Sequence, residues 1–510
     1  MRAAYDVASV RVAESALMQE LPEGTLMQRA SFGLARTCAA LLTNVEHGVV
    51  GARIVLLVGS DNNGGDALYA GAFLARRGAQ VTALLLSDHS HDGGVVALRM
   101  AGGHVRSVTG ADDVGAVEVI SHAALVMDGI VGIGGSGSLH GAAIALVHAA
   151  RDSGSLLVAV DVPSGVDSDT GLIADPDACV FADVTVTFGC LKQGLVVSPG
   201  REAAGAVVEV DIGLDDYLPA YGVALLDDLD IASALPEPQG ADYKYSRGIV
   251  GILAGSARYR GAAMLCVGGA RQGGAGKVHF ADRGDGVATV VVQHFWDVTA
   301  SDASADDREF EAWVIGPGLG NDEDSVSRVR ELLAMEVPVV FDADALRVIS
   351  GHADVRDALS ARGRRGEVSV LTPHVGEFRA LGFGDALSLG RLGAAKLAAR
   401  ELGAIVVLKG PGTIIAAPDG TTFVDSFGGA ELGTAGTGDI LAGLAGSMLA
   451  SAQARGEITD SGEAARIVAA AVGAHGAAGA LAASDGRPVT AMDVVDALPD
   501  AIALLRRVME

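Results

Sequence analysis

Gly433-Thr434-Ala435-Gly436-Thr437-Gly438-Asp439-Ile440-Leu441-Ala442-Gly443-Leu444 reads as a glycine turn running into a helix. Glycines permit positive φ and close backbone approach, and the apolar residues after Asp439 continue in helical fashion. The first turn of such a helix leaves N–H groups unpaired at the positive end of its dipole. That is a seat for phosphate. A carboxylate at Asp439 repels a bound polyphosphate unless it faces a proton to be removed or a reacting hydroxyl. The stretch therefore points to phosphate chemistry with an acidic base at its edge, weighed against the plainer reading of a glycine loop capped by an aspartate.

Upstream of it, short apolar runs at 249–254, 312–316, 337–342, 368–371 and 404–409 alternate with helical patterns, one of them running from Gly261 past Arg271. A similar series fills the first half: 53–59, 81–86, 124–128 and 156–161, with closing strands at 183–189 and 206–211. Two helical patterns precede it within residues 1–48, the second entered through Thr25. Strands alternating with helices imply parallel sheets covered on both faces, with ligands at the carboxyl ends of the strands. Between the halves, 225–242 carries acidic residues, Pro236 and Pro238 but no periodicity, which predicts a linker. The expected domains are 1–224 and 243–510, both α/β, with 225–242 between them.

A length of 510 residues exceeds the usual limit of one core and fits two domains. Hydrophobic residues make up 50% and charged residues 20%, so the chain can bury sizeable cores and is not of the disordered class. With 70 glycines against 4% aromatics, packing must rest on Ala, Val and Leu. A formal charge of −26 argues against binding nucleic acid or anionic membranes through a general field, and makes any anionic ligand depend on local N–H groups, a lysine or a metal ion. Cys38, Cys179, Cys190 and Cys266 are scattered and read as reduced core thiols of a cytoplasmic protein. The apolar segment 467–483 contains His475 and predicts a packed helix rather than a membrane span.

Polar clusters follow several strands. Asn62, Asn63, Gly64, Gly65 and Asp66 offer amide oxygens, bare N–H groups and a carboxylate, suited to a phosphate and a hard cation together. Asp128 and Ser164 offer further oxygens, and Asp161 ends a strand at a proline-bounded turn, where an acid/base group faces a cleft. Each aspartate alone reads better as a turn or cap residue; three clusters at matching strand ends shift the balance. The run GIGGSG at 132–137 matches the dinucleotide fingerprint formally but lacks the acidic residue about 20 positions on, so a standard NAD site is rejected. In the second half GPGLG (316–320), TPHVGE (372–377) and KGPGT (409–413) follow strands. Lys409 reads as a fixed positive charge for phosphates, and His374 as a site-lining residue ahead of Glu377, which also suits a helix cap.

With LMQRAS at 26–31, NNGGD at 62–66, DGIVGIGGSG at 128–137 and VDVPSG at 160–165, the first half resembles the NAD(P)H-hydrate epimerase domain. With KYSRG at 244–248, GPGLG, TPHVGE, KGPGT and AGTGD at 435–439, the second resembles the ribokinase-like, ADP-dependent NAD(P)H-hydrate dehydratases. The whole chain is similar to the fused bacterial nicotinamide nucleotide repair enzymes. The resemblance implies a Rossmann-like three-layer α/β/α sandwich followed by a ribokinase-like α/β/α domain. It implies that Asn62, Asn63, Gly64, Gly65 and Asp66, with Gly132, Ile133, Gly134, Gly135, Ser136, Gly137 and Ser138, bind hydrated NADH or NADPH. Asn63, Asp128 and Ser164 would hold potassium, and Asp161 would be the acid/base. In the second domain Ala262, Gly318, His374 and Asp439 would contact the hydrate, with Asp439 catalytic; Lys409, Gly410, Pro411, Gly412, Thr413 and Gly438 would hold ADP, accompanied by Mg²⁺. A cytoplasmic homo-oligomer is expected, with no nucleic acid or membrane partner. Asp61 departs from the family pattern by adding charge beside a phosphate site. Two other classes fit parts of the pattern: a small-molecule kinase, which shares AGTGD and KGPGT, and a non-catalytic binding module in the first half.

Overall fold

The computed structural model describes residues 1–44, 48–135, 137–220, 222–301 and 310–509; Ser136, one of the expected substrate contacts, lies outside them. The chain divides into two compact units, residues 3–222, and residues 223–510 together with Met1 and Arg2.

In the first unit seven parallel strands lie in the order His104–Ser107, Gln80–Leu85, Arg53–Val58, Leu125–Gly129, Leu156–Val160, Val184–Phe188, Ala206–Val210. The inner strands are apolar on both faces because both are covered. Ile54 and Leu56 join a core with residues of the Thr25–Asn44, Asn62–Arg76 and Asp92–Met100 helices, while Val55 and Leu57 join one with the Val114–Ser121 and Ala142–Asp152 helices. This is the expected three-layer sandwich. The strand order reverses direction between Arg53–Val58 and Leu125–Gly129, which opens a crevice where the following loops part.

Residues 62–66, the polar cluster expected to follow the first strand, are themselves the first turns of the Asn62–Arg76 helix, with Asp61 as its N-cap. The helix starts hard against its strand: a Cβ on Gly64 would lie 2.5 Å from the Gly59 carbonyl oxygen. The GIGGSG run falls, as expected, between the Leu125–Gly129 strand and the Ala142–Asp152 helix.

The second unit has parallel strands in the order Thr299–Ser301, Lys277–Ala281, Ile249–Leu253, Ala312–Ile315, Val339–Phe341, Ser369–Leu371, Ile405–Leu408. Ile414–Ala416 and Thr422–Val424 continue it antiparallel, and Val223–Leu225 runs parallel to the latter. Again the order reverses beside the first central strand, between Ile249–Leu253 and Ala312–Ile315. Val250, Ile252, Val314 and Val340 pack with the Arg260–Gln272, Thr437–Ala454, Ser461–Ala482 and Ala491–Arg506 helices; the intervening Trp313, Ile315 and Phe341 are buried on the opposite face.

The Thr437–Ala454 helix touches its neighbours backbone to backbone. A Cβ on Gly443 would lie 1.9 Å from the Cys266 carbonyl oxygen, and one on Gly269 would lie 2.1 Å from that of Ile440. The low aromatic content is thus matched by close helix approach rather than by bulky filling. The Ser461–Ala482 helix has the length and apolarity of a membrane span, but 78% of its most apolar window is buried in this core. All four cysteines are free and buried.

The stretch 225–242 is folded rather than an open linker. Val223–Leu225 is a sheet strand, and Asp227 forms a capping box with Asp230 at the start of the Asp228–Ala234 helix. Leu226, Ile231 and Leu235 enter the second unit's core. The acidic residues mistaken for a solvated tether are helix-start residues, in a helix too short to show a period.

Replacing Gly443 by valine is expected to lower the unfolding free energy of the second unit by about 2–3 kcal/mol through overpacking. Gly351→Ala, into open space at a helix end, is expected to change it by less than about 0.5 kcal/mol. Urea titrations of the two variants check this.

Candidate active sites

At the reversal point of the first unit, a cavity of about 950 Å³ is lined by Glu14, Asn62, Asn63, Asp66, Gly132, Ile133, Gly134 and Asp161, among others. The first helical N–H groups, at Asn62 and Asn63, lie at this wall, a ready anion seat. Gly64 and Gly65 do not line the cavity. Their missing side chains serve packing, since a Cβ on Gly65 would meet the His91 ring at 3.0 Å. Gly135, Gly137 and Ser138 also lie off its wall.

Asp128 and Ser164 form a buried oxygen cluster. The Ser164 hydroxyl donates to Asp128 Oδ1 (2.7 Å), Ser164 N to Oδ2 (2.8 Å), and Ile130 N to Oδ1 (3.2 Å). Asn63 is linked to the Gly132 loop, where a Cβ on Gly132 would stand 3.2 Å from Asn63 Oδ1. Asn63 Nδ2 is buried with no hydrogen-bond partner among the described residues. Burial pushes the Asp128 carboxyl up to about 6, against the donors from Ser164 and Ile130.

Asp161 sits at the end of its strand with φ 65°, a left-handed conformation that a non-glycine residue holds only when its surroundings impose it. They do so through one oxygen. Asp161 Oδ1 accepts from Lys192 Nζ (2.6 Å), the Thr187 hydroxyl (3.1 Å) and Phe188 N (3.2 Å). Lys192 is 1% exposed and also donates to Thr187 Oγ1 (3.0 Å) and the Phe188 carbonyl (2.8 Å). Sequence reasoning missed Lys192, Thr187 and Glu14. One signal was present: Lys192 is the sole lysine in residues 1–222. Burial, with the nearby Asp161 charge, raises the carboxyl of Glu14; burial raises that of Asp66 well above its ordinary range, opposed by the Ser31 hydroxyl 3.1 Å away.

In the second unit the glycine turn takes the expected form. Gly436, with φ 96°, caps the Thr437–Ala454 helix and puts Asp439 in its first turn. A Cβ on Gly438 would lie 3.1 Å from Lys409 Nζ, so the turn and the 409–413 loop face each other directly. Lys409 is not a bare charge, because its Nζ pairs with Asp342 Oδ1 at 2.9 Å, which also accepts from the Thr372 hydroxyl (2.7 Å). Asp342, buried and unremarked in the sequence beyond ending a strand, is thus the hub of this site; the next residue, Ala343, has φ 47°. A Cβ on Gly316 would lie 1.9 Å from the Asp342 carbonyl oxygen, and one on Gly318 2.8 Å from Ala262 Cβ, which ties the 316–320 loop to both.

His374 and Glu377 form a reciprocal cap on the Val375–Phe378 helix: His374 Nδ1 accepts from Glu377 N (3.1 Å) and Glu377 Oε2 from His374 N (2.9 Å). With Nδ1 accepting, the ring proton of the neutral form stands on Nε2. Pairing with Lys409 across an isolated bridge keeps His374 beside the loop. That loop is closed by Thr413, whose hydroxyl donates to the Gly410 carbonyl (3.0 Å), and is clamped by Arg391, which donates to the carbonyls of Leu408 (3.1 Å) and Pro411. Arg391, distant in sequence from any motif, also escaped the sequence reading.

Burial first, then the Asp342 charge, pushes the Asp439 carboxyl up to about 7, with Lys409 opposing. Burial works against the Lys409 ammonium, but Asp342 and Glu377 more than offset it and raise its pKa.

The NAD(P)H-hydrate dehydratase family matches residues 250–500, and the family described as YjeF-related protein N-terminus matches residues 23–194. The bifunctional NAD(P)H-hydrate repair enzyme Nnr of Mycobacterium tuberculosis is 42% identical over 460 residues, covering 90% of this chain and 91% of that one. The enzyme of the same name from Corynebacterium glutamicum is 32% identical, with 99% of both chains covered. A crystal structure of the ADP/ATP-dependent NAD(P)H-hydrate dehydratase from Bacillus subtilis, co-crystallised with ATP and Mg²⁺, superposes with a TM-score of 0.46 at 28% identity over 56% of this chain and 100% of that one.

The Asp439 carboxyl is expected to titrate with a midpoint of about 7, measured by carboxyl carbon NMR on the full chain. Asp342→Asn removes a neighbouring negative charge and releases Lys409 towards Asp439. Both changes favour the carboxylate, so the midpoint is expected to fall by about one unit or more.

Proposed function

The chain belongs to the bifunctional NAD(P)H-hydrate repair enzymes, and from that premise we propose how its residues divide the work. Residues 3–222 epimerise the R and S hydrates of NADH and NADPH at the 950 Å³ cavity, with Asp161 as the proton carrier. Residues 223–510 dehydrate the S form using ADP, with Asp439 as the base. The observation that carries the second assignment is the meeting of Asp439, Lys409 and Asp342 at the start of one helix, where unpaired N–H groups await a phosphoryl group.

In the hydrate the C6 hydroxyl must leave, and hydroxide is a poor leaving group. Asp439, whose carboxyl burial and Asp342 push up to about 7, takes the proton of that hydroxyl as its oxygen attacks the β-phosphorus of ADP. AMP departs. The N1 lone pair then expels phosphate from C6, and loss of a C5 proton restores the dihydronicotinamide. Gly438 and the 409–413 loop bind the transferring phosphate, Lys409 offsets its charge, and Arg391 holds the loop in shape. Ala262, Gly318 and His374 line the place of the nicotinamide, with the His374 Nε2–H as a donor.

Mg²⁺ would accompany the nucleotide. Among the described residues no group of three His, Cys, Asp or Glu side chains forms a metal cage, which suits an ion held mainly by phosphate oxygens. Potassium fits the first unit: Asn63, Asp128 and Ser164 supply oxygens, and a cation relieves the burial of the Asp128 carboxylate. The ion would order the 131–134 loop against Asn63.

Asp439→Asn is expected to lower dehydration by about 100-fold or more while leaving epimerisation intact, and Asp161→Asn to do the reverse. Absorbance of restored dihydronicotinamide from the S hydrate with Mg²⁺ and ADP reads the first, and chromatographic separation of the epimers reads the second.

A further inference from the structure

On the reading of the first unit as the epimerase, we propose that Lys192 is its positioning residue. It commits the reaction to opening of the hydrate ring at the C6–N1 bond, with Asp161 Oδ2 as the single proton carrier.

C6 of the hydrate bears both a hydroxyl and N1, so its configuration can invert in two ways. Loss of the hydroxyl as water requires an acid that protonates it. Loss of the nitrogen requires a base that takes the hydroxyl proton. The arrangement around Asp161 is that of a base. Three donors converge on Oδ1: Lys192 Nζ at 2.6 Å, the Thr187 hydroxyl at 3.1 Å and Phe188 N at 3.2 Å. With Oδ1 so engaged and the residue lining the cavity, Oδ2 is the oxygen left to meet the substrate. The Lys192 ammonium is equally committed, its contacts being Asp161 Oδ1, Thr187 Oγ1 and the Phe188 carbonyl, and with 1% of the side chain exposed it stands behind Asp161. It acts on the substrate only through that carboxylate. Glu14 and Asp66 also line the cavity, but among the described residues neither has an ammonium at hydrogen-bond distance to hold it as a carboxylate base; were either the acid that expels the C6 hydroxyl as water, solvent oxygen would enter the product.

The step balances without any other reactant. Asp161 Oδ2 accepts the C6 hydroxyl proton, C6–O becomes C6=O, and the C6–N1 bond breaks with its electron pair moving to N1. N1 takes the proton from Oδ2 and becomes the N–H of an amine conjugated with the ring's carboxamide. Rotation about C5–C6 turns the opposite face of the aldehyde to N1. The C6–N1 bond re-forms, and the N1 proton returns through Oδ2 to the oxygen. Asp161 ends as the carboxylate it began as, and no water enters or leaves.

The full-length wild-type protein is incubated with the R hydrate of NADH in ¹⁸O-water without nucleotide, and the S hydrate formed is examined by mass spectrometry. Ring opening predicts an S hydrate with no ¹⁸O beyond enzyme-free exchange. ¹⁸O in each newly formed S molecule means loss and return of water, and overturns the route. Lys192→Met is expected to lower the epimerisation kcat about 100-fold with KM unchanged, and Lys192→Arg to recover about a tenth of wild-type turnover. Dehydration of the S hydrate by the same preparations reports the fold of the second unit, and circular dichroism that of the whole. An unchanged kcat, or a KM rising in step with the loss, overturns the positioning role. A wild-type protein that interconverts no hydrates at all overturns instead the epimerase reading beneath it.

Discussion

An ammonium held against a buried strand-end aspartate is the constraint on which both sites depend. In the first unit it is Lys192 with Asp161 at 2.6 Å, in the second Lys409 with Asp342 at 2.9 Å. Removing one member of a buried pair such as Lys192–Asp161 typically costs about 3–5 kcal/mol because the other is stranded; Lys409, 20% exposed, is more open to water, while its partner Asp342 is buried. Each pair is therefore geometrically exacting. The chain must bring a lysine from a later segment to a strand end, and it does so inside a parallel sheet whose edges and loops are already fixed. The two pairs are used differently. Lys192 holds the strand-end Asp161 itself, whereas Lys409 is paired with Asp342, whose charge in turn pushes up the carboxyl of Asp439.

Backbone strain marks the same places. Among the described residues Asp161, Ala343 and Asp485 are the non-glycine residues with positive φ, and two of them sit at these strand ends. Such a conformation costs on the order of 1–3 kcal/mol and persists only where the surroundings over-determine it. The three donors on Asp161 Oδ1 do that in one unit. In the other, Asp342 is held by Lys409 and Thr372 while Gly316 leaves room for its carbonyl. The sheets supply the rest, since each reverses its strand order beside its first central strand and so parts the loops that lead into the helix starts.

Much of this was legible in the residues. Alternating apolar runs and helical periods announced two parallel-sheet units, and 433–444 announced a glycine turn running into a helix, because local φ preferences and amphipathic periods act over a few residues. The reading failed where a local signal had two outcomes. NNGGD looked like a polar cluster after a strand, but its glycines let a helix begin there, against the Gly59 carbonyl. The acidic run near Asp227 looked like a tether, but Leu226, Ile231 and Leu235 found an apolar core to enter.

The sequence by itself determined the two α/β units, the strand ends that carry chemistry, and Asp161 and Asp439 as the carboxylates to watch, since these follow from composition, period and spacing. Only the tertiary structure decided the partners of those carboxylates. Lys192 lies 31 residues from Asp161, and Asp342 lies 67 from Lys409. Charges so far apart along a chain meet only after strands have paired in register and closed out water, and it is that exclusion of water, more than the residues' identities, that fixes the donors on Asp161 at one site and lets Asp342 push up the Asp439 carboxyl at the other.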